Sequence, residues 1–293
     1  MMEQPNTSKT DSEKNTRAEK QKKKQSKKKN FAQAVLLCII FGCIIFILCA
    51  FVLFKVDNIT VEGLPDDFCG DTHKYTNSCY YSDDDIIRMC GVENGESLVM
   101  MSKKDVVENL TKRLPYLGSV EVKRQYPSTL KIVVEDTHAV YAVDAGGGYT
   151  LLDKNFKALE RCEKIPDNCA KVIGVHLLSS EIGKTVQFED ENCKTRISSI
   201  EENCAKRNIK GITKIDIVNI ANISFKIDNK YTVVLGVLTD LEDKFDAVAA
   251  TIKAESEKNS NARKIINVVD PKRAYVGDDT SPLENQDGII TVG

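Results

Sequence analysis

Histidine is scarce in this 293-residue sequence, and the three that occur, His73, His138 and His176, are scattered. There is no H-E-x-x-H pair and no Cys-x2-Cys spacing of the kind a zinc site uses. There is no G-x-S-x-G elbow and no phosphate-binding Gly-Lys loop. The Thr-x-Thr-Cys-type strand that a membrane-anchored sortase would need is missing. Asp83-Asp84-Asp85 is a run of carboxylates, but it lacks the alternate spacing of a calcium loop. In the first turn of a helix such residues favour the dipole and need no cation. The expectation is a chain that is not an enzyme, with no cofactor, no metal and no small-molecule substrate.

Charge is present but divided. Residues 1–30 carry ten Lys/Arg and four Asp/Glu, about +6, and residues 31–54 carry none. The part after the apolar run holds 31 basic and 39 acidic residues, about −8. The first thirty residues are rich in Lys, Ser and Gln and have no apolar periodicity, so they predict a disordered arm. Lysine runs bind phosphate, but no aromatic residue is interleaved to stack on bases. A positive-inside topology signal is the simpler reading, with no nucleic acid as partner.

The run FAQAVLLCIIFGCIIFILCAFVLF, residues 31–54, has Gln33 as its only strongly polar residue. Twenty-four residues at about 1.5 Å each reach roughly 36 Å, enough to cross a core of about 30 Å with tilt. A cleavable signal peptide would want a shorter apolar region and an A-x-A-like site, and neither is found. The predicted topology is one span with the N-terminus cytoplasmic and the remaining 239 residues outside, a type II single-pass protein of the cell membrane.

Ten cysteines are present. Cys38, Cys43 and Cys49 lie in the apolar run and read as small hydrophobes. Cys193, Ile197, Ile200 and Cys204 recur at i, i+4, i+7 and i+11, one face of a helix. Eleven residues of helix span about 16 Å, whereas a disulfide needs Cα atoms within about 7 Å. These two are therefore core thiols, as is Cys90 at the end of a short helix closed by Gly91. Cys69 with Cys79, and Cys162 with Cys169, lie in polar, loop-like sequence and are candidate disulfides outside the membrane.

The stretch SVEVKRQYPSTLKIVVED alternates apolar and polar residues on both sides of the turn YPST, which predicts a half-buried β-hairpin. Before it come a strand with Val56, Ile59 and Val61, then a helix capped by Ser82 with Asp85 three residues on. A second helix follows, capped by Ser102 and facing inward with Val106, Val107, Leu110 and Leu114. The order strand, helix, helix, strand, strand over residues 55–136 predicts two helices on a three-stranded sheet. Farther on, AVYAV and YTLLD form a hairpin around Gly146-Gly147-Gly148, and KVIGVHLL reads as one short strand. The Cys193 helix comes next, followed by the strands ITKIDIV, ISFKID and YTVVLG. Gly236 precedes a helix lined by Leu238, Leu241, Phe245, Val248 and Ile252, and the chain returns with KIINVVDPKRAYVG.

This pattern resembles the POTRA domain. FKVxxITVEG directly after a single span, NGESL, LPYLGSVEVKRQYPSTLKIVVE and YTLLD in this order and spacing resemble the bacterial cell-division family FtsQ, called DivIB in Gram-positive lineages. Asp136 and His138 depart from the family's usual Arg and Pro, and the Cys69–Cys79 loop looks like an insertion. The fold so implied is α+β. It comprises a disordered basic tail (1–30), a transmembrane helix (31–54) and a POTRA domain (55–136). A mixed, β-rich extracytoplasmic domain with two helices (137–277) and a flexible C-terminal tail (278–293) complete it.

The resemblance implies a non-enzymatic scaffold at the division septum. It would bind FtsL-like and DivIC/FtsB-like bitopic proteins and link them to septal peptidoglycan synthesis. Within KIINVVDPKRAYVG, an edge strand would offer unpaired N–H and C=O groups. The residues expected to meet a partner there are Ile266, Val268, Arg273, Tyr275 and Val276. The alternative functions are a POTRA-type transport or secretion component, which would want a barrel's worth of strands, and a sensor ectodomain, which would want a folded module inside.

Overall fold

A computed structural model describes residues 33–48, 53–63, 81–258, 261–281, 283–284 and 290–291. Residues 33–48 form a helix, α1, whose side chains are all exposed. No helix among the described residues is long and apolar enough to cross a membrane. The span expected over 31–54 includes residues 31, 32 and 49–52, which lie outside the described residues, as do the basic arm and the Cys69–Cys79 loop.

By Cα packing the chain divides into two units. The first comprises Met1–Asn58, Glu93–Met101 and Gln125–Thr129. In it Leu98 N donates to Phe54 O and Val56 N to Glu96 O, both at 2.8 Å. Phe54 meets Tyr126 edge-on with centroids 5.3 Å apart.

The second unit contains everything else. Its first helix, α2 (Asp83–Met89), starts at Ser82 because a serine oxygen can satisfy an N–H that the helix leaves open. Ser82 Oγ accepts from Asp85 N at 3.2 Å, and the Asp85 carboxylate accepts from Ser82 N at 3.1 Å. Helix α3 (Lys103–Arg113) begins in the same way, with Ser102 Oγ accepting from Asp105 N. Strands β1 (Asn58–Glu62), β2 (Leu117–Gln125) and β3 (Thr129–Asp136) make a sheet of order β1-β3-β2. Leu130, Ile132 and Val134 are fully buried on β3, so the period-two pattern of the sequence marks the buried face.

The chain then builds a nine-stranded mixed sheet. It contains β4 (Tyr141–Asp144), β5 (Tyr149–Leu152), β6 (Ala158–Cys162) and β7 (Ala170–Ile173). A small two-stranded sheet of β8 (Leu177–Ser179) and β9 (Gln187–Phe188) stands apart. After α4 (Asn192–Lys206) come β10 (Ile212–Asp216), β11 (Ile223–Ile227) and β12 (Tyr231–Gly236). After α5 (Leu241–Glu257) come β13 (Lys264–Asn267) and β14 (Tyr275–Asp278). The sheet order is β14-β13-β12-β11-β10-β7-β4-β5-β6. The fold is therefore mixed α+β with a sheet-rich second part.

The segment KVIGVHLL is two strands rather than one. Gly174 breaks it at φ +86°, where a Cβ would lie 2.2 Å from Val218 N. The turn is tight because two backbones meet there, and only glycine leaves the room.

The main core gathers Tyr141, Val172, Ile215, Phe225, Val233 and Ile266 from the sheet with Cys193, Ile197, Ile200 and Cys204 from α4 and Phe245 and Val248 from α5. A second cluster holds Tyr116, Leu151, Leu159, Ile165 and Cys169, with Tyr81, Tyr149 and Cys162 against it. Polar contacts join the two sheets. The buried Lys157 ammonium donates to the Leu117 carbonyl, and Thr137 Oγ1 donates to Asp153 Oδ2 at 3.3 Å. Gly183 passes so near α3 that a Cβ would lie 2.4 Å from Thr111 O.

Candidate partner-binding edge

Strand β14 closes one side of the large sheet. Its register on β13 is antiparallel, with Asn267 opposite Tyr275, Ile266 opposite Val276, Ile265 opposite Gly277 and Lys264 opposite Asp278. No strand among the described residues pairs with its outer side. All four of its residues are exposed, with Tyr275 at 59 % and Val276 at 43 %. Tyr275 therefore does not pack into its own domain. An aromatic ring and a β-branched side chain stand on an open edge, the arrangement that accepts an added strand.

The residues expected to form the edge are brought together only in part. Ile266 and Val268 are fully buried in the main core, and β13 is paired on both sides, parallel to β12 and antiparallel to β14. These two residues hold the edge from beneath and do not meet solvent. Arg273 is exposed in the connection between β13 and β14.

That connection is braced by its own side chains. Asn267 Oδ1 accepts from Val269 N and Asp270 Oδ1 from Lys272 N, both at 3.0 Å. The far end of β14 is anchored by Asp279, which takes hydrogen bonds from Thr232 Oγ1 at 2.9 Å and Ser281 N at 3.0 Å. Burial raises the Asp279 carboxyl pKa, but the hydrogen bonds from Ser281 and Thr232 and the Arg263 charge outweigh it. The carboxyl stays below its ordinary range. Lys264 pairs with Asp278 at 2.7 Å beside it.

The sequence reading missed the apolar residues that loops carry to this end of the sheet. Val218 and Ile220 follow β10, Val237 follows β12, and Val269 follows β13; all are exposed. Gly236 and Val269 are neighbours, since a Cβ on Gly236 would lie 3.1 Å from Val269 Cγ2. Lone apolar residues in loop sequence carry no periodic signal, so only the topology collects them.

The thiols divide by position. Cys90, Cys193 and Cys204 are buried as expected. Burial pushes the Cys204 thiol up to about 12, and the Glu201 charge adds to the shift. Cys162 and Cys169 share the second cluster but are not joined by a disulfide in this structure. Cys69 and Cys79 lie outside the described residues. No cluster of His, Cys, Asp and Glu among the described residues could hold a metal ion.

A two-helix, three-stranded domain leads into a larger mixed sheet that ends at β14 on one side and β6 on the other. Residues 77–136 match the family described as "POTRA domain, FtsQ-type". The chain is similar to the cell division protein DivIB of Clostridium acetobutylicum, 26 % identical over 212 residues that cover 72 % of this chain and 78 % of that protein. It is also similar to the cell division protein FtsQ of Geobacter sp. (strain M21), 35 % identical over 86 residues that cover 29 % of this chain and 31 % of the relative. Both relatives are cell-division proteins by name, and the family match lies on the two-helix, three-stranded part of this chain.

Proposed function

We propose that this protein is a non-catalytic scaffold of the division machinery that captures a bitopic partner by adding the partner's strand to β14. The observation that carries this reading is the open β14 edge with Tyr275 and Val276 exposed on it. Main-chain pairing supplies the affinity in such a mode, and alternate side chains supply the selection. The partners are FtsL-like and DivIC/FtsB-like proteins, whose short extracytoplasmic segments can meet an edge strand. Residues 31–54 anchor the chain in the cell membrane at the septum, with the basic arm inside and residues 55–136 and 137–277 outside as two domains.

Pull-down of these partners by the full-length chain tests the reading. Tyr275→Asp and a chain stopped before Lys272 are expected to lose capture while circular dichroism stays that of a folded protein. Full capture by a folded truncated chain overturns the assignment and moves the search to the turn at Arg124-Gln125-Tyr126. A reporter active only outside the cell, fused after Gly293, tests the topology. Reporter activity confined to the cytoplasm overturns it.

A further inference from the structure

The connection between β6 and β7 carries two sulfurs to one place. Cys162 ends β6, and Cys169 directly precedes Ala170, the first residue of β7. Cys169 is fully buried among Tyr116, Leu151, Leu159 and Ile165, and Cys162 packs against the same cluster from its margin. Cys169 Sγ has a weak contact of 3.8 Å to Asn168 Oδ1. Burial pushes the Cys169 thiol up to about 12, and the charge of Cys162 adds to this.

Cys162 has the access that Cys169 lacks. It is half-buried and lines a cleft of about 270 Å³ together with Gly146, Gly147, Gly148, Arg161 and Glu163. The glycine turn lies against its backbone so closely that a Cβ on Gly148 would sit 2.8 Å from the Cys162 carbonyl oxygen. One thiol thus lines a cleft, and the other is sealed in the apolar cluster that the first packs against. A resolving cysteine beside an accessible one is the arrangement of a thiol-oxidation site.

We propose that Cys162 and Cys169 are such a site, closed to an intramolecular disulfide by a small disulfide-bearing oxidant that enters at Cys162. The Cys162 thiolate attacks one sulfur of the oxidant and expels its first thiolate, which leaves a mixed disulfide. Cys169 then gives up its proton to solvent, and its sulfur attacks Cys162 Sγ and expels the second thiolate. Two protein thiols are oxidised, one disulfide is reduced to two thiols, and the protons balance through water. The bond fastens the β6–β7 connection beside the cluster that holds Tyr116 and Ala139, with Tyr81 packed against it.

The test uses the full chain, folded, with oxidised glutathione as probe, followed by alkylation, trypsin and mass spectrometry. The expected product is Cys-Glu-Lys (162–164) linked to the peptide 165–171, absent after dithiothreitol. Cys169→Ser should stop at a stable glutathione adduct on Cys162, and Cys162→Ser should leave Cys169 unmodified. The oxidised protein should melt about 5 °C above the reduced one. A lasting glutathione adduct on Cys162 in the unmutated chain overturns the proposal. So does no reaction, a bond from Cys162 to another cysteine, or a cross-link that forms only after denaturation. Equal melting temperatures overturn the fastening role.

Discussion

Val276 stands directly opposite Ile266 in the ladder between β13 and β14, yet Ile266 is fully buried and Val276 is 43 % exposed. Opposite residues of an antiparallel pair share a face, so the cover of the core ends between these two strands. Ile266→Ala removes a packed side chain and should cost about 2–5 kcal/mol in urea unfolding. Val276→Ala should cost under about 1 kcal/mol and still weaken partner capture. Equal stability losses in the two variants would show that β14 is part of the core.

Lys244 is a second point of support for this end of the sheet. It is 1 % exposed, and its ammonium donates to Leu235 O at 2.9 Å and Val237 O at 2.8 Å. It thereby ties the first turn of α5 to the end of β12. Lys244→Met keeps the aliphatic volume but leaves both carbonyls without this donor. We expect a loss of about 1–3 kcal/mol, read as a lower denaturant midpoint. An unchanged midpoint would mean that water replaces the ammonium without cost.

The Asp279 anchor should fail in acid. Its folded-state pKa is depressed, so its contribution is present above the unfolded carboxylate pKa and is lost as pH falls through the folded value. The window therefore lies below about pH 4, the ordinary carboxylate range. Asp279→Asn should flatten the pH dependence of unfolding there and lower stability at neutral pH. Hydrogen exchange at Tyr275 and Val276 should quicken in the same variant. Identical acid unfolding curves for the variant and the unmutated chain would remove Asp279 from this role.

Cys193 and Cys204 should resist thiol reagents in the folded protein, since both are buried and burial raises both thiols. Thiolate is the reactive form, so burial and a raised pKa act together. Replacing either residue by Ser should cost about 1–3 kcal/mol, because a hydroxyl enters an apolar site. Rapid native-state labelling would show that α4 opens easily and that its inner face is not a stable core.

Several elements were legible because their signals are local. A serine followed three residues later by an aspartate starts both α2 and α3. The i, i+4, i+7, i+11 spacing from Cys193 to Cys204 gave the buried face of α4. The Gly146–Gly148 turn came from glycine between two strand-like runs, and β4 and β5 pair across it. The edge itself was located only to its segment. Within KIINVVDPKRAYVG, the residues expected to meet a partner ran from Ile266 to Val276, and of the two strands there β14 is the outer one.

The sequence by itself determined the alternation that buries Leu130, Ile132 and Val134, the helix caps, the family motifs and the chemical character of each segment. These depend on residues a few positions apart, where one period or one hydrogen bond decides. Tertiary structure alone decided which strand is outermost, because β13 pairs in parallel with β12 across the whole of α5 and leaves β14 as the margin. It also decided that Cys162 meets a cleft while Cys169 is sealed in the apolar cluster, and that Ile266 is core where Val276 is not. Strand order and burial are set by contacts between residues far apart in the chain, and a pattern of period two is the same for a strand in the middle of a sheet as for one at its edge.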